Sequence, residues 1–394
     1  MAILASSSPV RALSTPGPWS FAVLTAIEGL ARASLATVIP LLAFKVMGNA
    51  RDVSALYTGV GWVALVATFS IPWLVRRFRV RRIYALGGVL LILSTLCYAS
   101  ATAPGWVAGH MMRLFAMSCA TVGISLYIMA YIPKRQLGRS EPLRTFCSAF
   151  SWSLGPFFGV TLATDAGRGV AFAFSAVCAA LFLLYFLRLP LGDPLAGGGS
   201  APVAPWRNVR RFFAQPRLVL EWLLNFGREA WWVMFFVYAP IFMVQAGETP
   251  KTGALLISCG TAFLFITPIM GWVGRTVGLR RFLMAMFTIA GTATLAVALA
   301  FQHHWVGAGL LLVAAFTMVS LDAVGHIPFL RAVRARERPE MTMVFGTYRD
   351  MAGLIPTAVF TALLSVLPLQ SVFAATGIAL FGVAVLARWI PRGM

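Results

Sequence analysis

The chain has 394 residues, of which 59% are hydrophobic and only 11% charged, and its mean hydropathy is +0.83. A soluble domain is about 25% charged, so a soluble globular enzyme is all but excluded; intrinsic disorder needs low hydrophobicity, and a membrane barrel would show alternating segments of roughly ten residues. The formal charge of +20, from 32 Lys+Arg against 12 Asp+Glu, would suggest nucleic acid in a soluble protein, so its placement along the chain has to decide.

Met1 to Pro18 is rich in Ser, Pro and Ala and lacks the charged and apolar regions of a secretory signal. It reads as a disordered cytoplasmic tail. Apolar blocks follow at about 19–44, 53–75, 83–102, 105–132, 143–163 and 169–189, then 217–245, 252–274, 282–302, 305–330, 342–366 and 368–389. Each is long enough to cross a bilayer, which needs about 20 residues. The stretch between the sixth and seventh blocks holds Gly197-Gly198-Gly199-Ser200, Pro202 and Pro205, the composition of a flexible linker. The expected organisation is a tail (1–18), a six-helix bundle (19–190), a cytoplasmic linker (191–215) and a second six-helix bundle (216–394). The fold class is all-α polytopic membrane protein, with twelve transmembrane helices in two pseudo-symmetric bundles.

With both termini inside, the cytoplasmic segments hold 24 of the 32 basic residues, the outer loops hold four (Lys45, Arg51, Arg168, Lys251), and four lie within spans. This positive-inside bias accounts for the charge without nucleic acid. The five cysteines all fall inside apolar blocks, with no C-x-x-C spacing, and read as small core residues.

The halves repeat. Pro72-Trp73-Leu74-Val75-Arg76, running on to Arg81-Arg82, is answered 199 residues later by Gly271-Trp272-Val273-Gly274-Arg275 and Arg280-Arg281. Pro40 is answered by Pro240 and Pro156 by Pro356, both at an offset of 200. Internal duplication of this kind marks alternating-access transporters, which rock one half against the other around a midplane site.

With these features the chain resembles the major facilitator superfamily over nearly its whole length. The superfamily's basic loop between helices 2 and 3 is matched by Gly271, Gly278 and Arg280 in the second half, while the first half has Pro72 and Arg79 in place of glycines. The family's aspartate is replaced by Arg76 and Arg275, which alters the charge relay at the cytoplasmic gate. Arg113 matches the buried arginine that opens the helix 4 motif, though Leu114-Phe115-Ala116-Met117 departs from its glycine-rich continuation. Ser151-x-x-x-Gly155-Pro156-x-x-Gly159-Val160 partly matches the helix 5 motif, which in this superfamily marks exporters and antiporters.

Charges inside spans are costly, about 2.5–3.5 kcal/mol each on insertion scales, and are functional candidates by default. Helix 1 carries Glu28 and Arg32, helix 4 Arg113, helix 7 Glu221, Arg228 and Glu229, helix 10 Asp322, and helix 11 Arg349 and Asp350; helices 3, 6, 9 and 12 carry none in their cores. In the resembling family the first group lines the central cavity and the second faces lipid. At 1.5 Å per residue, Arg32 lies about 20 Å from the cytoplasmic end and Arg113 about 12 Å from the outer end, similar levels. Arg228 and Glu229 fall near the middle as well, whereas Asp322, Arg349 and Asp350 read as a separate cytoplasmic cluster.

Glu28 and Arg32, one turn apart, can simply neutralise each other, and Asp322 with Arg349 can equally be a fixed ion pair. Arg113 has no acidic neighbour in its helix and is the first candidate for cargo contact. Arg32, Arg228, Trp231, Trp232 and Tyr127 complete the expected substrate-binding set. Glu28, Glu229, Asp322 and Asp350 are the proton-coupling candidates, and Arg349, Arg76 and Arg275 the gating ones. His326 shares a face with Asp322, and a His–Asp pair can relay protons; His303 and His304 are expected to face water.

The chain has no Walker loop, H-E-x-x-H or G-x-S-x-G, so no enzymatic activity and no cofactor or metal is expected. The expected function is secondary active transport by alternating access, most readily proton-coupled export of a small anionic or zwitterionic amphipathic compound. Import of small organic anions by proton symport, and a non-transporting assembly factor on the same fold, are the alternatives. The expected partners are a small-molecule substrate, protons and the lipid bilayer, for a monomer in a bacterial inner membrane.

Overall fold

A computed structural model describes residues 16–132, 134–194, 205–324, 329, 333 and 338–390. Among them every regular element is helical. In chain order the long helices are α1 (Pro18–Met47), α2 (Ala50–Phe78), α3 (Val80–Ala99), α4 (Ala103–Tyr131), α5 (Lys134–Thr161) and α6 (Arg168–Arg188). The second series is α7 (Pro216–Gln245), α8 (Pro250–Val277), α9 (Leu279–Leu299), α10 (His304–Asp322), α11 (Arg338–Leu363) and α12 (Gln370–Leu386). Among the described residues, nine of these are long and apolar enough to cross a membrane. The others, α2, α7 and α11, run for 29, 30 and 26 residues, which at 1.5 Å per residue also exceeds the roughly 30 Å hydrocarbon layer.

Local chemistry sets the breaks. Helix α1 bends at Thr37 because Pro40, lacking an N–H, cannot bond the Ala36 carbonyl. In α8 the turn Phe263–Ile266 tightens to 3-10 geometry just before Pro268. Asn49, Thr102 and Thr249 cap α2, α4 and α8, each side chain accepting from the backbone N–H three residues on. At the opposite end, α2 passes to α3 through Arg79, which takes φ +69°. Its repeat counterpart Gly278 takes φ +91°, a conformation open to glycine and strained for any residue with a Cβ.

Within the first half the closest packing is α1 against α5. A Cβ on Gly155 would lie 2.5 Å from that of Ala33, and one on Gly159 would collide with the Ser34 carbonyl oxygen. Ser151 Oγ donates to the Ala26 carbonyl at 2.7 Å and Ser175 Oγ to that of Ala31 at 2.6 Å. The glycines of the helix 5 motif are thus packing residues, letting two backbones approach as lipid-embedded helices require.

The halves meet mainly at the end that is poor in basic residues. There Ser54 and Tyr238 share a hydroxyl hydrogen bond, Thr58 meets Thr361 at 3.5 Å, and Lys251 Nζ lies 2.6 Å from an Asp165 oxygen. Phe157 N donates to Ser258 Oγ at 3.1 Å and Thr261 Oγ1 to the Trp152 carbonyl at 2.8 Å. One hydrophobic cluster spans the seam, running from Leu35, Ile39 and Val53 to Trp231, Tyr238 and Phe242. At the basic end the clusters are separate: Phe21, Tyr84, Tyr127 and Phe186 in the first half, and Phe212, Trp222, Phe345 and Tyr348 in the second.

Two expectations need correction. The linker is not uniformly flexible: Pro205–Phe213 is a short helix whose Phe212 is buried against the second half. Cys119 and Cys178 are buried, but Cys259 is exposed, because an apolar block in a membrane protein can face lipid as well as core. Residues 1–15 of the tail, His326 and the side chain of Arg76 lie outside the described residues.

Two predictions follow from this packing. Gly159→Ala should lower the melting temperature of the detergent-purified protein, since forced overpacking costs about 1–3 kcal/mol. Gly169→Ala, with nothing within 4 Å, should raise it slightly, as Gly-to-Ala changes in a helix gain about 0.5–1 kcal/mol; equal shifts would refute the contact. Similarly, Arg79→Gly should stabilise and Gly278→Arg destabilise, because a residue held in such a region costs about 1–3 kcal/mol. Circular-dichroism melts of the two variants read the sign directly.

Candidate functional site

Seven of the nine charged residues of the spans gather into two groups, one in each half. In the first, Arg32 Nη1 donates to Glu28 Oε1 at 3.0 Å, and Arg113 Nη2 donates to the Arg32 carbonyl oxygen at 2.5 Å. The levels expected for Arg32 and Arg113 therefore coincide. Glu28 is 7% exposed and Arg113 5%. Among the described residues Arg113 Nη1 and Arg32 Nε have no hydrogen-bond partner, although buried donors are nearly always paired. Around Arg113 lie Tyr57 of α2, Tyr98 of α3 and His110 of α4, all within electrostatic reach of its guanidinium.

In the second half Arg228 Nη1 pairs with Asp322 Oδ1 at 3.0 Å, and its Nη2 lies 3.9 Å from Glu229. Trp232 Nε1 donates to Asp322 Oδ2 at 3.2 Å, and Arg349 Nε donates to the Tyr348 hydroxyl at 3.1 Å. Asp322 is thus the partner of Arg228, whereas Arg349 leans on Tyr348. The separate cytoplasmic cluster expected around Asp322 does not form. Arg228 lies 17 residues from the end of α7 and Asp322 18 residues into α10, about 26 Å and 27 Å from the same face. Asp322 and Arg228 therefore share one level.

Aromatic rings join the two groups across the halves. The Arg32 guanidinium carbon lies 5.7 Å from the centre of the Trp152 ring, within cation–π range. Trp152 meets Phe236 at 5.3 Å and Phe236 meets Trp232 at 5.7 Å, and Trp232 holds Asp322. The row is reachable, because the side chains of Arg32, Glu229 and Asp322 keep 19%, 29% and 27% of their exposure.

Other expected residues lie elsewhere. Trp231, one residue and about 100° around the helix from Trp232, stacks on Phe235 and bonds Thr294 of α9, inside the second half. Tyr127 is fully buried among Tyr84, Tyr131 and Phe186 in the core of the first half. Arg275 is exposed at the basic end, Asp350 is half-buried on α11, and His304 is paired with Glu248 at 3.0 Å rather than simply hydrated. The sequence reading missed Trp152, Phe236, Tyr348, Tyr57 and His110. Two of them carried a signal: Trp152 sits inside the helix 5 motif, and His110 precedes Arg113 by three residues, on the same helical face.

The counts by half are unequal. The spans of the first half hold Arg32 and Arg113 against Glu28 alone, while those of the second hold Arg228 and Arg349 against Glu221, Glu229, Asp322 and Asp350. The first half therefore has a spare cation and the second spare carboxylates.

The model of the Major Facilitator Superfamily matches residues 21–355. Among curated protein sequences none matches significantly. Solved structures match closely in fold and distantly in sequence. A POT family transporter in complex with 5-aminolevulinic acid has a TM-score of 0.75 at 14% identity, over 93% of this chain and 95% of that one. A D-xylose–proton symporter has 0.74 at 13%, over 95% and 98%. The nucleoside transporter NupG has 0.76 at 11%, over 95% and 99%. With nine membrane-length helices among its described residues and a family match over most of its length, the chain is an integral membrane transporter and not an enzyme, and it belongs to the Major Facilitator Superfamily.

Proposed function

We propose that the protein is a proton-coupled exporter, an antiporter, of a small anionic or zwitterionic amphipathic organic compound. Arg113 carries this reading. It is a buried guanidinium with an unpartnered Nη1, in the half whose spans hold a spare cation. A guanidinium does not shed its proton, so a carboxylate or phosphate of the cargo is the natural partner, docking by charge-assisted hydrogen bonds. The apolar part of the cargo would lie along Trp152, Phe236 and Trp232. An ammonium group, where the cargo has one, would face the carboxylates of the second half, of which Glu229 is the most accessible of the pair flanking Arg228.

The same residues suit proton coupling. A carboxylate paired with an arginine can exchange that salt bridge for a proton, and cargo binding can bias the exchange. Glu28 and Glu229 rank first, ahead of Asp322 and Asp350. Arg349, with Arg275 and Arg76 at the basic end, remains assigned to gating. If the basic end is cytoplasmic, in a bacterial inner membrane with both termini inside, the structure is closed to the outside and faces inward. Export rests on Gly155-Pro156-x-x-Gly159, whose glycines also serve the packing of α1 on α5. The close fold match to a D-xylose–proton symporter favours the second reading, proton-driven import of small organic anions at the same site.

A thermal-shift screen with anionic, zwitterionic and cationic metabolites and drugs tests the cargo class. A ligand at a hundredfold excess over its dissociation constant adds about 2.7 kcal/mol. Anionic or zwitterionic compounds should stabilise the parent and lose that effect in Arg113→Ala; stabilisation by cations alone defeats the assignment. In reconstituted vesicles, an imposed pH gradient should drive cargo flux in the parent, and Glu28→Gln or Glu229→Gln should abolish the pH-driven component while exchange of cargo continues. Flux that ignores pH and requires sodium would exclude proton coupling, and no flux of any kind would favour an assembly role.

A further inference from the structure

The surroundings of Arg113 carry more than one arginine. His110 lies one turn before it on the same face of α4 and is 8% exposed. Its Nδ1 is 2.9 Å from the Tyr98 hydroxyl oxygen. Its ring meets that of Tyr57 edge-on, 4.8 Å between centres. Three helices, α2, α3 and α4, therefore converge on one imidazole.

The hydrogen bond fixes how that imidazole is used. Tyr98 is 1% exposed, and among the described residues its hydroxyl touches only His110 Nδ1. If the imidazole were the donor, the phenol O–H would be buried without an acceptor, a costly arrangement. The phenol therefore donates to Nδ1, and the ring proton sits on Nε2, since a neutral imidazole carries one N–H. Nε2–H has no protein acceptor among the described residues, and neither has the hydroxyl of half-buried Tyr57. With Arg113 Nη1 this makes three unpartnered donors, from a guanidinium, an imidazole and a phenol. Among the described residues the carboxylate that acts on Arg113 is Glu28, which Arg32 engages at 3.0 Å. A site furnished with a fixed cation and two further donors, and with no free carboxylate among the described residues, selects for an oxyanion.

We propose that Tyr57 and His110 complete an oxyanion-binding site with Arg113, and that Tyr98 is the positioning residue that holds His110 in its donor tautomer. This rests on the reading of the cargo as anionic or zwitterionic and deepens it: the cargo presents a carboxylate or phosphonate-type group, with one oxygen on Arg113 and another shared by Tyr57 and His110. A cation would leave these donors unmatched, and a neutral hydroxyl would accept from them without answering the charge of Arg113. The site also adjoins the seam. Ser54, one turn before Tyr57 on α2, bonds Tyr238 of the second half, so an anion drawing on Tyr57 acts on the helix that closes the basic-poor end.

The test is calorimetric titration of the detergent-solubilised full chain with benzoate, phenylphosphonate and benzylamine. Benzoate or phenylphosphonate, or both, should bind saturably and benzylamine should not, and the ratio of the first two tells a planar from a tetrahedral oxyanion. Tyr57→Phe and His110→Phe should each weaken anion binding about tenfold, the loss expected for one hydrogen bond to a charged group. His110→Gln, which keeps an N–H donor, should recover part of it. Tyr98→Phe should weaken binding in the parent and add nothing in the His110→Phe background, a non-additivity that generalised loosening would not produce. Tyr57→Phe removes one oxygen and keeps the ring, so it decides the matter if His110→Phe fails to fold. Should Tyr57→Phe and His110→Phe bind anions as the parent does while Arg113→Ala does not, this site is wrong and the anionic cargo stands. Should Arg113→Ala bind anions undiminished, or the parent bind benzylamine alone or no probe at all, the cargo reading fails and this inference with it.

Discussion

A guanidinium inside a membrane has no neutral form to retreat to, and this constraint shapes the interior of the protein. An acid can take up a proton when it is desolvated; an arginine keeps its charge and must be given acceptors. The protein solves this for three of its four span arginines with carboxylates or a phenol: Glu28 for Arg32, Asp322 for Arg228 and Tyr348 for Arg349. For Arg113 it supplies one backbone carbonyl, that of Arg32. The carbonyl holds the side chain in place without neutralising it, and on the function proposed above that charge is kept for the anionic group of the cargo. Pairing all four fully would make a more comfortable protein and a poorer binder.

Much of this was legible in the sequence, because the costs that dictate it are paid per residue. Long apolar runs had to be spans, and charges within them had to face inward, so the five charged helices and their approximate levels could be read without coordinates. What could not be read was rotation. Trp231 and Trp232 are neighbours in the chain, yet one packs on α9 and the other holds Asp322, a difference set by a 100° step around α7. Tyr127 failed for the same reason, its ring turned into the core. Depth was legible only to within a turn or two, too coarse to join Asp322 to Arg228, whose 3.0 Å pair needs the two helix faces turned to each other. His110 went unnoticed because a lone histidine in an apolar block carries no periodic signal; only its three-residue distance to Arg113 marked it.

The repeat shows a similar limit. The matched prolines and basic loops give two halves of one design, but the copies have drifted where backbone conformation matters. Gly278 keeps the turn that its position demands, and Arg79 adopts nearly the same turn against its own preference. The halves have also parted in charge, with spare cation on one side and spare carboxylate on the other. A duplicated fold supplies two like scaffolds, and the divergence of the side chains gives them unlike charge.

Contacts within a half and contacts between halves are built from different materials. Inside the first half α1 and α5 meet backbone to backbone through Gly155 and Gly159, a fit with no room for a single added carbon. Across the seam the polar ties are hydroxyl pairs, serine and threonine bonds and one ion pair, whose Lys251 and Asp165 side chains are 38% and 57% exposed. An exposed ion pair is worth about 0–1 kcal/mol, and a freed hydroxyl that meets water loses little. The first kind of contact keeps a bundle rigid; the second can be broken and remade. Alternating access needs both, and it needs the weak ties to lie beside the binding site so that the cargo can influence them. Tyr57 and Ser54 share a face of α2, one against His110 and the other against Tyr238, which places the seam within one helical turn of a ring that lies beside Arg113.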